Sequence, residues 1–231
     1  MWRHLAGCGV DPLGFWGLNR MNPMDHMNQT MAPISATPPA FSLCVYCGSK
    51  PGMNPRFAQV AQEVGQWIGQ HGGQLVYGGG NTGLMGEVAR ATLAAGGRVV
   101  GIMPKALVER EFANQDCTEL HVVDNMHQRK AMMAERADAF LAMPGGIGTF
   151  EELFEVWTWH QLGYHNKPIG LLNVDGYYDG LLAFLAHTVR EQFVGSWQMD
   201  LVTVDHQPLT LLPRLVQSAG FGQSEHLARH M

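Results

Sequence analysis

Between residues 142 and 155 the chain reads Ala-Met-Pro-Gly-Gly-Ile-Gly-Thr-Phe-Glu-Glu-Leu-Phe-Glu, so glycines and a threonine stand directly ahead of a run of carboxylates. Glycines and a Thr before a helix suit an anion, because free backbone N–H groups and the positive end of the helix dipole converge there. The acids that follow ask for something cationic. A 5′-phosphorylated nucleoside meets both demands: its phosphate fits the cradle, and its C1′ becomes cation-like as the N-glycosidic bond breaks. A fixed carboxylate below C1′ would stabilise that charge and orient water for attack. The dipole favours the carboxylate anion, so Glu152 suits the role of stabiliser, or of base for water, better than that of general acid. A second reading is structural: Thr149-x-x-Glu152 fits a capping box, in which Glu152 only reaches back to the Thr149 amide.

A second glycine loop lies upstream, in Val76-Tyr-Gly-Gly-Gly-Asn-Thr-Gly-Leu-Met-Gly86. Gly78, Gly80 and Gly83 satisfy G-x-G-x-x-G, the fingerprint of dinucleotide-binding turns. A dinucleotide fold would end its next strand in an acid that holds the ribose. Here that strand ends Gly101-Ile-Met-Pro-Lys105, without one, and no P-loop pattern occurs in the chain. Two glycine loops, each between a strand and a helix, therefore predict one nucleotide-sized ligand gripped from two sides.

The elements that must position these loops are legible as alternating patterns. Apolar runs at Leu43–Cys47, Leu75–Tyr77, Val99–Met103, Leu120–Val123, Ala139–Met143, Ile169–Leu172 and Leu201–Val204 read as strands. Between the first two, Phe57, Val60, Ala61, Val64, Trp67 and Ile68 recur at helical spacing, with Gly72-Gly73 as a stop. Similar helices fit 83–95, 125–137, 150–163, 177–192 and 207–219. Strands that are apolar throughout, alternating with helices, predict an α/β fold: a Rossmann-like, doubly wound sheet of mostly parallel strands with helices on both faces. Ligands of such sheets gather at the carboxyl ends of the strands. Residues 1–40 lack a sustained period and carry Ala36-Thr-Pro-Pro-Ala40, so they read as a flexible arm before a catalytic domain at 41–220 and a tail at 221–231.

Composition narrows the partners. The 231 residues are 46% hydrophobic and 15% charged, enough for one compact domain plus extra sequence. A net charge of −5 and a pI near 6.1, with no basic stripe, argue against nucleic acid. No apolar segment is long enough to span a bilayer. Leu5-Ala-Gly-Cys8 looks like a lipoprotein box, yet the residues before it leave no room for a signal-peptide core, so the match reads as chance. Cys44 and Cys47 have redox spacing but lie on one apolar strand, where residues three apart point to opposite faces. Buried, reduced thiols and a cytoplasmic location are expected. The histidines, including His121, His127, His160, His165, His226 and His230, show no metalloenzyme spacing with a supporting acid, so neither a metal nor another cofactor is expected.

Pro144-Gly-Gly-Ile-Gly-Thr-Phe-Glu-Glu152 resembles the P-G-G-x-G-T-x-x-E signature of the LONELY GUY (LOG) family, cytokinin riboside 5′-monophosphate phosphoribohydrolases. Gly78-Gly-Gly-Asn-Thr-Gly-Leu-Met-Gly86 and Met126-His-Gln-Arg-Lys130 are similar to that family's motifs, as are Trp159–Gly163 and Asn173–Tyr178. The likeness runs from about Phe41 to Gly220; the arm matches nothing in it. It implies hydrolysis of cytokinin riboside 5′-monophosphates or AMP to free base and ribose 5-phosphate. It also implies Glu152 as catalytic carboxylate and Arg129 as its essential partner. Arg129 cannot surrender a proton at neutral pH, so its role is charge stabilisation and positioning. Gly79, Gly80, Thr82, Gly83, Gly146, Gly148 and Thr149 become phosphate and ribose contacts, and the motifs add Met126, Pro144 and Gly145. Lys130 reads either as a site residue or as a solvated surface lysine. Glu151, turned about 100° from Glu152 around the helix, reads as a ribose ligand or a solvent-facing acid. The helix at 150–163, apolar on more than one side, is expected in a thick core or, as the resemblance implies, in a homodimer interface.

Overall fold

The computed structural model describes residues 38–108 and 113–221. Residues 1–37 of the proposed arm, with the Cys8 box, and His226 and His230 of the tail lie outside those residues. The expected strands are present, within about two residues of their predicted bounds: β1 Ser42–Tyr46, β2 Gln74–Tyr77, β3 Arg98–Pro104, β4 Glu119–Val123, β5 Ala139–Ala142, β6 Ile169–Leu172 and β7 Val202–Asp205. They form one sheet in the order β4-β3-β2-β1-β5-β6-β7. All six neighbour pairs are parallel. The chain winds outward from β1 to β4 and then returns to lay β5 on the other side of β1, with Leu43 paired to both Leu75 and Ala139. The strand order reverses at β1 and β5, where an open parallel sheet offers a crevice at its carboxyl edge.

Alternation along each strand feeds two cores. Leu43, Val45, Leu75, Tyr77, Val99 and Leu141 pack with helices α1 (Pro55–Gln70), α2 (Gly83–Ala94) and α8 (Pro208–Ser218). Cys44, Tyr46, Val76, Val100, Ile102 and Phe140 pack with α4 (Met126–Arg136), α5 (Ile147–Gln161) and α6 (Asp179–Arg190). Cys44 and Cys47 accordingly fall in opposite cores, both as free thiols. Burial pushes both thiols up in pKa, so neither is poised as a nucleophile.

Local signals set the helix ends. Asn54 caps α1, accepting from Arg56 N at 2.9 Å, with Pro55 in the first turn. The predicted stop is real: Gly72 takes φ 67° after the C-cap His71. Close α1–α2 packing depends on Gly65 and Gly69, where an added Cβ would overlap Val88 O and Ala95 Cβ.

Two departures matter. Helix α5 begins at Ile147, ahead of the expected 150, because Gly146 takes the extended N-cap conformation. Thr149 is therefore inside the helix, and the Thr149–Glu152 capping box does not form. The expected helix at 177–192 is observed as Asp179–Arg190, between the caps Tyr178 and Glu191, and is preceded by a 3-10 turn, Val174–Gly176, in which Asp175 has φ 49°. Two short helices, α3 (Lys105–Val108) and α7 (Ser196–Met199), were not anticipated; one turn carries no readable period. Among the described residues no helix is long and apolar enough to cross a membrane.

Candidate active site at the sheet's switch point

Helix α4 presents Arg129. Its first turn is fixed by a reciprocal pair: Asn125 Oδ1 accepts from Gln128 N at 3.0 Å, and Gln128 Oε1 accepts from Asp124 N at 2.8 Å. One turn in, Arg129 lies over Gly78, where a Cβ would overlap the guanidinium. Arg129 Nη1 donates to Met126 Sδ at 3.7 Å, while Nε is buried without a hydrogen-bond partner. The remaining nitrogen, Nη2, stands 3.6 Å from Glu152 Oε1, with the two side chains 8% and 11% exposed.

Helix α5 supplies the carboxylate from its second turn. No side chain caps its N-terminus. A Cβ at Gly146 or Gly148 would meet nothing within 4 Å, so space lies open in front of the first amides. Ile147 is 81% exposed there, and Met126 is 39% exposed at the start of α4. Thr149 is buried against Gly145. The structure thus brings Arg129, Glu152, Met126, Pro144, Gly145, Gly146, Gly148 and Thr149 to one edge of the sheet, after β4 and β5.

The other glycine loop is built differently from the expectation. Leu84 N and Met85 N of α2 both donate to Gly48 O, at 3.0 and 3.3 Å, so a protein carbonyl already occupies that helix end. Gly83, at φ 57°, leaves room for the Ser49–Lys50 backbone. Thr82 Oγ1 donates to Ser49 O at 3.2 Å, and Gly79 and Gly80 pair with Asn114 and Ala113. These glycines permit close approach of other backbone rather than presenting an empty cradle.

Lys130 is not a solvated lysine: its side chain is largely buried. Its Nζ bonds Glu151 and, at 2.9 Å, Glu155, tying α4 to α5. Burial opposes the Lys130 charge, but the two carboxylates outweigh it and hold its pKa above the ordinary lysine value. Glu151 is committed to this pair. His160 and His165 are ring neighbours at 5.2 Å. Both nitrogens of His165 are engaged, however, by Val156 O and Lys167 N. No group of three metal-ligating side chains occurs among the described residues.

Sequence reasoning missed the β1–α1 loop. Gly48, Ser49, Lys50, Pro51 and Gly52, with Phe57, Leu84, Tyr177 and Pro144–Gly146, line a crevice of about 310 Å³. The available signal was Gly48-Ser-Lys-Pro-Gly52 directly after the first strand, the loop that a switch point beside β1 makes functional.

Comparison with known proteins relates the chain to a family. A profile described as "possible lysine decarboxylase" covers residues 85–215. The protein named probable cytokinin riboside 5′-monophosphate phosphoribohydrolase LOGL5 of Oryza sativa subsp. japonica is 53% identical over 66% of this chain and 62% of its own length. Cytokinin riboside 5′-monophosphate phosphoribohydrolase LOG7 of Arabidopsis thaliana is 51% identical over 69% of this chain and 74% of its own. The chain belongs to the LOG family. The alignment with LOGL5 spans less than two thirds of that relative. Among solved structures, the molybdenum cofactor carrier protein of Chlamydomonas reinhardtii superposes with a TM-score of 0.59 at 20% identity, covering 78% of this chain and 98% of that one. That likeness is one of fold. The LOG-family profile takes in Arg129 and Glu152 but begins beyond Gly83 and the β1–α1 loop. Its lysine decarboxylase wording finds little support in Lys130, because a Schiff-base lysine needs a free amine and this one is held between two carboxylates.

Proposed function

We propose that this LOG-family chain hydrolyses the N-glycosidic bond of nucleoside 5′-monophosphates, cytokinin riboside 5′-monophosphates and AMP, giving free base and ribose 5-phosphate. The observation that carries the reading is the buried Arg129–Glu152 pair beside the uncapped N-terminus of α5. The names of the relatives support it. The 5′-phosphate takes the amides of the Gly146–Thr149 turn, where the helix dipole favours an anion. Glu152 then faces C1′, stabilises its developing positive charge and orients the water that adds there. Arg129 remains protonated throughout, balancing charge and holding the phosphate or leaving base. The C1′–N bond breaks with its electron pair on the purine. Water contributes hydroxide to C1′ and, in net terms, a proton to the base. Met126 and Ile147, apolar and exposed at the mouth, suit the base or an N6 substituent. Gly79 and Gly80 serve this site by holding the Ala113–Asn114 backbone, Thr82 and Gly83 by supporting the β1–α1 loop, and Lys130 and Glu151 as the brace between its two helices.

A homodimer is part of the same proposal. Phe184 on α6, Phe193 before α7, Trp197 on α7, and Leu162 and Tyr164 just after α5 expose between 56% and 86% of their surface, and Leu185 is the only residue of α6 that is buried. Apolar side chains in this number suit a protein partner.

The test is incubation of purified protein, and of a Glu152→Gln variant, with AMP and with isopentenyladenosine 5′-monophosphate, separating bases from nucleotides by chromatography. Release of base and ribose 5-phosphate by the parent alone is the expected result. Tight nucleotide binding without release of base by the parent would instead make the chain a carrier.

A further inference from the structure

The loop Met143-Pro144-Gly145 carries three consecutive carbonyls, and each is taken by a protein donor. Tyr178 OH donates to Met143 O at 2.7 Å. Gly48 N donates to Pro144 O at 3.0 Å. The Tyr177 hydroxyl donates to Gly145 O. In a trans peptide the C=O and the following N–H point in opposite directions. Tying back the carbonyls of Pro144 and Gly145 therefore turns the N–H groups of Gly145 and Gly146 away from those donors. Any carbonyl left free to swing forward would oppose an anion.

We propose that Tyr177 is a positioning residue for the 5′-phosphate: its hydroxyl holds the Gly145 carbonyl back, so that the turn ahead of α5 offers an anion only N–H groups. The proposal rests on the phosphate-cradle reading above. Arg129, whose Nε is buried without a partner, supplies the second, independent feature in want of an acceptor at this edge of the sheet.

The two tyrosines have different duties. Tyr178 is 1% exposed, and its bond precedes Pro144, which has no N–H to direct, so it anchors the loop. Tyr177 is 41% exposed and lines the crevice, and its bond sets the Gly145–Gly146 peptide plane. The ring is held edge-on to Phe57 at 5.5 Å and to Tyr178 at 4.9 Å. Ahead of it, Asp175 at φ 49° is pinned by Asn54 Nδ2 at 2.7 Å. Asn54 also caps α1. The phenol is thus fixed by Phe57 in the crevice and by Tyr178 beside it, and losing its hydroxyl removes one bond without opening the core.

The experiment compares the parent with Tyr177→Phe and Tyr178→Phe, titrating inorganic phosphate, ribose 5-phosphate and adenine by calorimetry and measuring AMP hydrolysis. For Tyr177→Phe the affinity for both phosphates should fall about five- to tenfold, the worth of one hydrogen bond. KM for AMP should rise by a similar factor, with kcat within about twofold and with adenine affinity and melting temperature unchanged. Tyr178→Phe should instead lower the melting temperature. A parent that binds phosphate while Tyr177→Phe binds it equally well overturns the proposal. So does a variant that loses adenine affinity and stability in step with phosphate. A parent that binds neither phosphate overturns the cradle reading itself. A parent that binds phosphate but releases no base overturns only the hydrolase, and leaves the Tyr177 comparison decisive for the cradle.

Discussion

Arg129 Nη2 and Glu152 Oε1 face each other at 3.6 Å, in contact as charges but beyond the usual length of a hydrogen bond. A pair built for stability would close to a bidentate fork, since burying two charges costs several kcal/mol that only good geometry offsets. This pair stays open while both side chains remain about nine-tenths buried. The uncommitted Nε on the same guanidinium leaves donor capacity for a third party. Geometry that is poor for a scaffold and suited to a ligand is what supports the proposal that this pair does the chemistry.

Glu152→Gln keeps the shape of the side chain and removes its charge. Its kcat for base release from AMP is expected to fall about 10²–10³-fold, the scale of one lost electrostatic stabiliser, with KM changed only a few-fold. Equal rates for parent and variant would remove Glu152 from the chemistry.

Glycine positions separate two kinds of damage. At Gly78 a Cβ would push into the Arg129 guanidinium, so Gly78→Ala should displace Arg129 and cost at least about tenfold in kcat, with circular dichroism unchanged. At Gly148 a Cβ meets no atom within 4 Å, so Gly148→Ala should fold normally and raise KM by filling the space that the proposed function assigns to phosphate. Rates measured on both variants over a range of AMP decide this; the pattern fails if Gly78→Ala alters KM alone.

The strands were readable because a parallel sheet buried on both faces requires apolar residues at every position, and Leu43–Cys47 or Ala139–Met143 satisfy that without alternation. The opposite facing of Cys44 and Cys47 followed from strand period alone. Strand order was not readable, because hydrophobic period does not record which strand lies beside which. The β1–α1 loop and Tyr177 owe their place in one crevice with Pro144–Gly146 to β5 lying beside β1, so both escaped notice. Helix α5 was misjudged at its start because Thr149-x-x-Glu152 imitates a cap. The real N-cap, Gly146, has no side chain to announce it. The glycines at 78–83 matched a ligand-binding fingerprint, yet Gly83 and Gly86 are occupied by the chain's own backbone.

The crossing of α1 and α2 gives a stability test remote from the site. Gly65 packs so closely that a Cβ would stand 2.8 Å from Ala91 Cβ and overlap Val88 O. Because that obstacle is backbone, the two helices must separate. Gly65→Ala is expected to lower stability by about 1–3 kcal/mol, seen as a lower urea midpoint at constant m-value. KM for AMP of the folded fraction should be unaffected. An unchanged midpoint would show that the crossing has slack.

Acid sensitivity should reside at the far end of α5. His165 donates from Nε2 to Val156 O at 2.9 Å and accepts at Nδ1 from Lys167 N at 3.1 Å. That arrangement admits only the neutral ring, since a proton on Nδ1 would confront the Lys167 N–H. Burial is the main cause that lowers the pKa of His165 and of its neighbour His160 below the ordinary 6.5, and the Lys167 charge acts on His165 in the same direction. The unfolded chain therefore takes up protons near pH 6.5 that the folded chain refuses. Stability from these rings is complete above that pH and is lost as pH falls through the lower, folded values. The urea midpoint of the parent should decline between about pH 6.5 and pH 5. His165→Gln, which cannot titrate, should start from a lower midpoint at pH 7.5 and lose less on acidification. If parent and variant lose the same amount over that interval, the sensitivity lies in the carboxylates rather than in these rings.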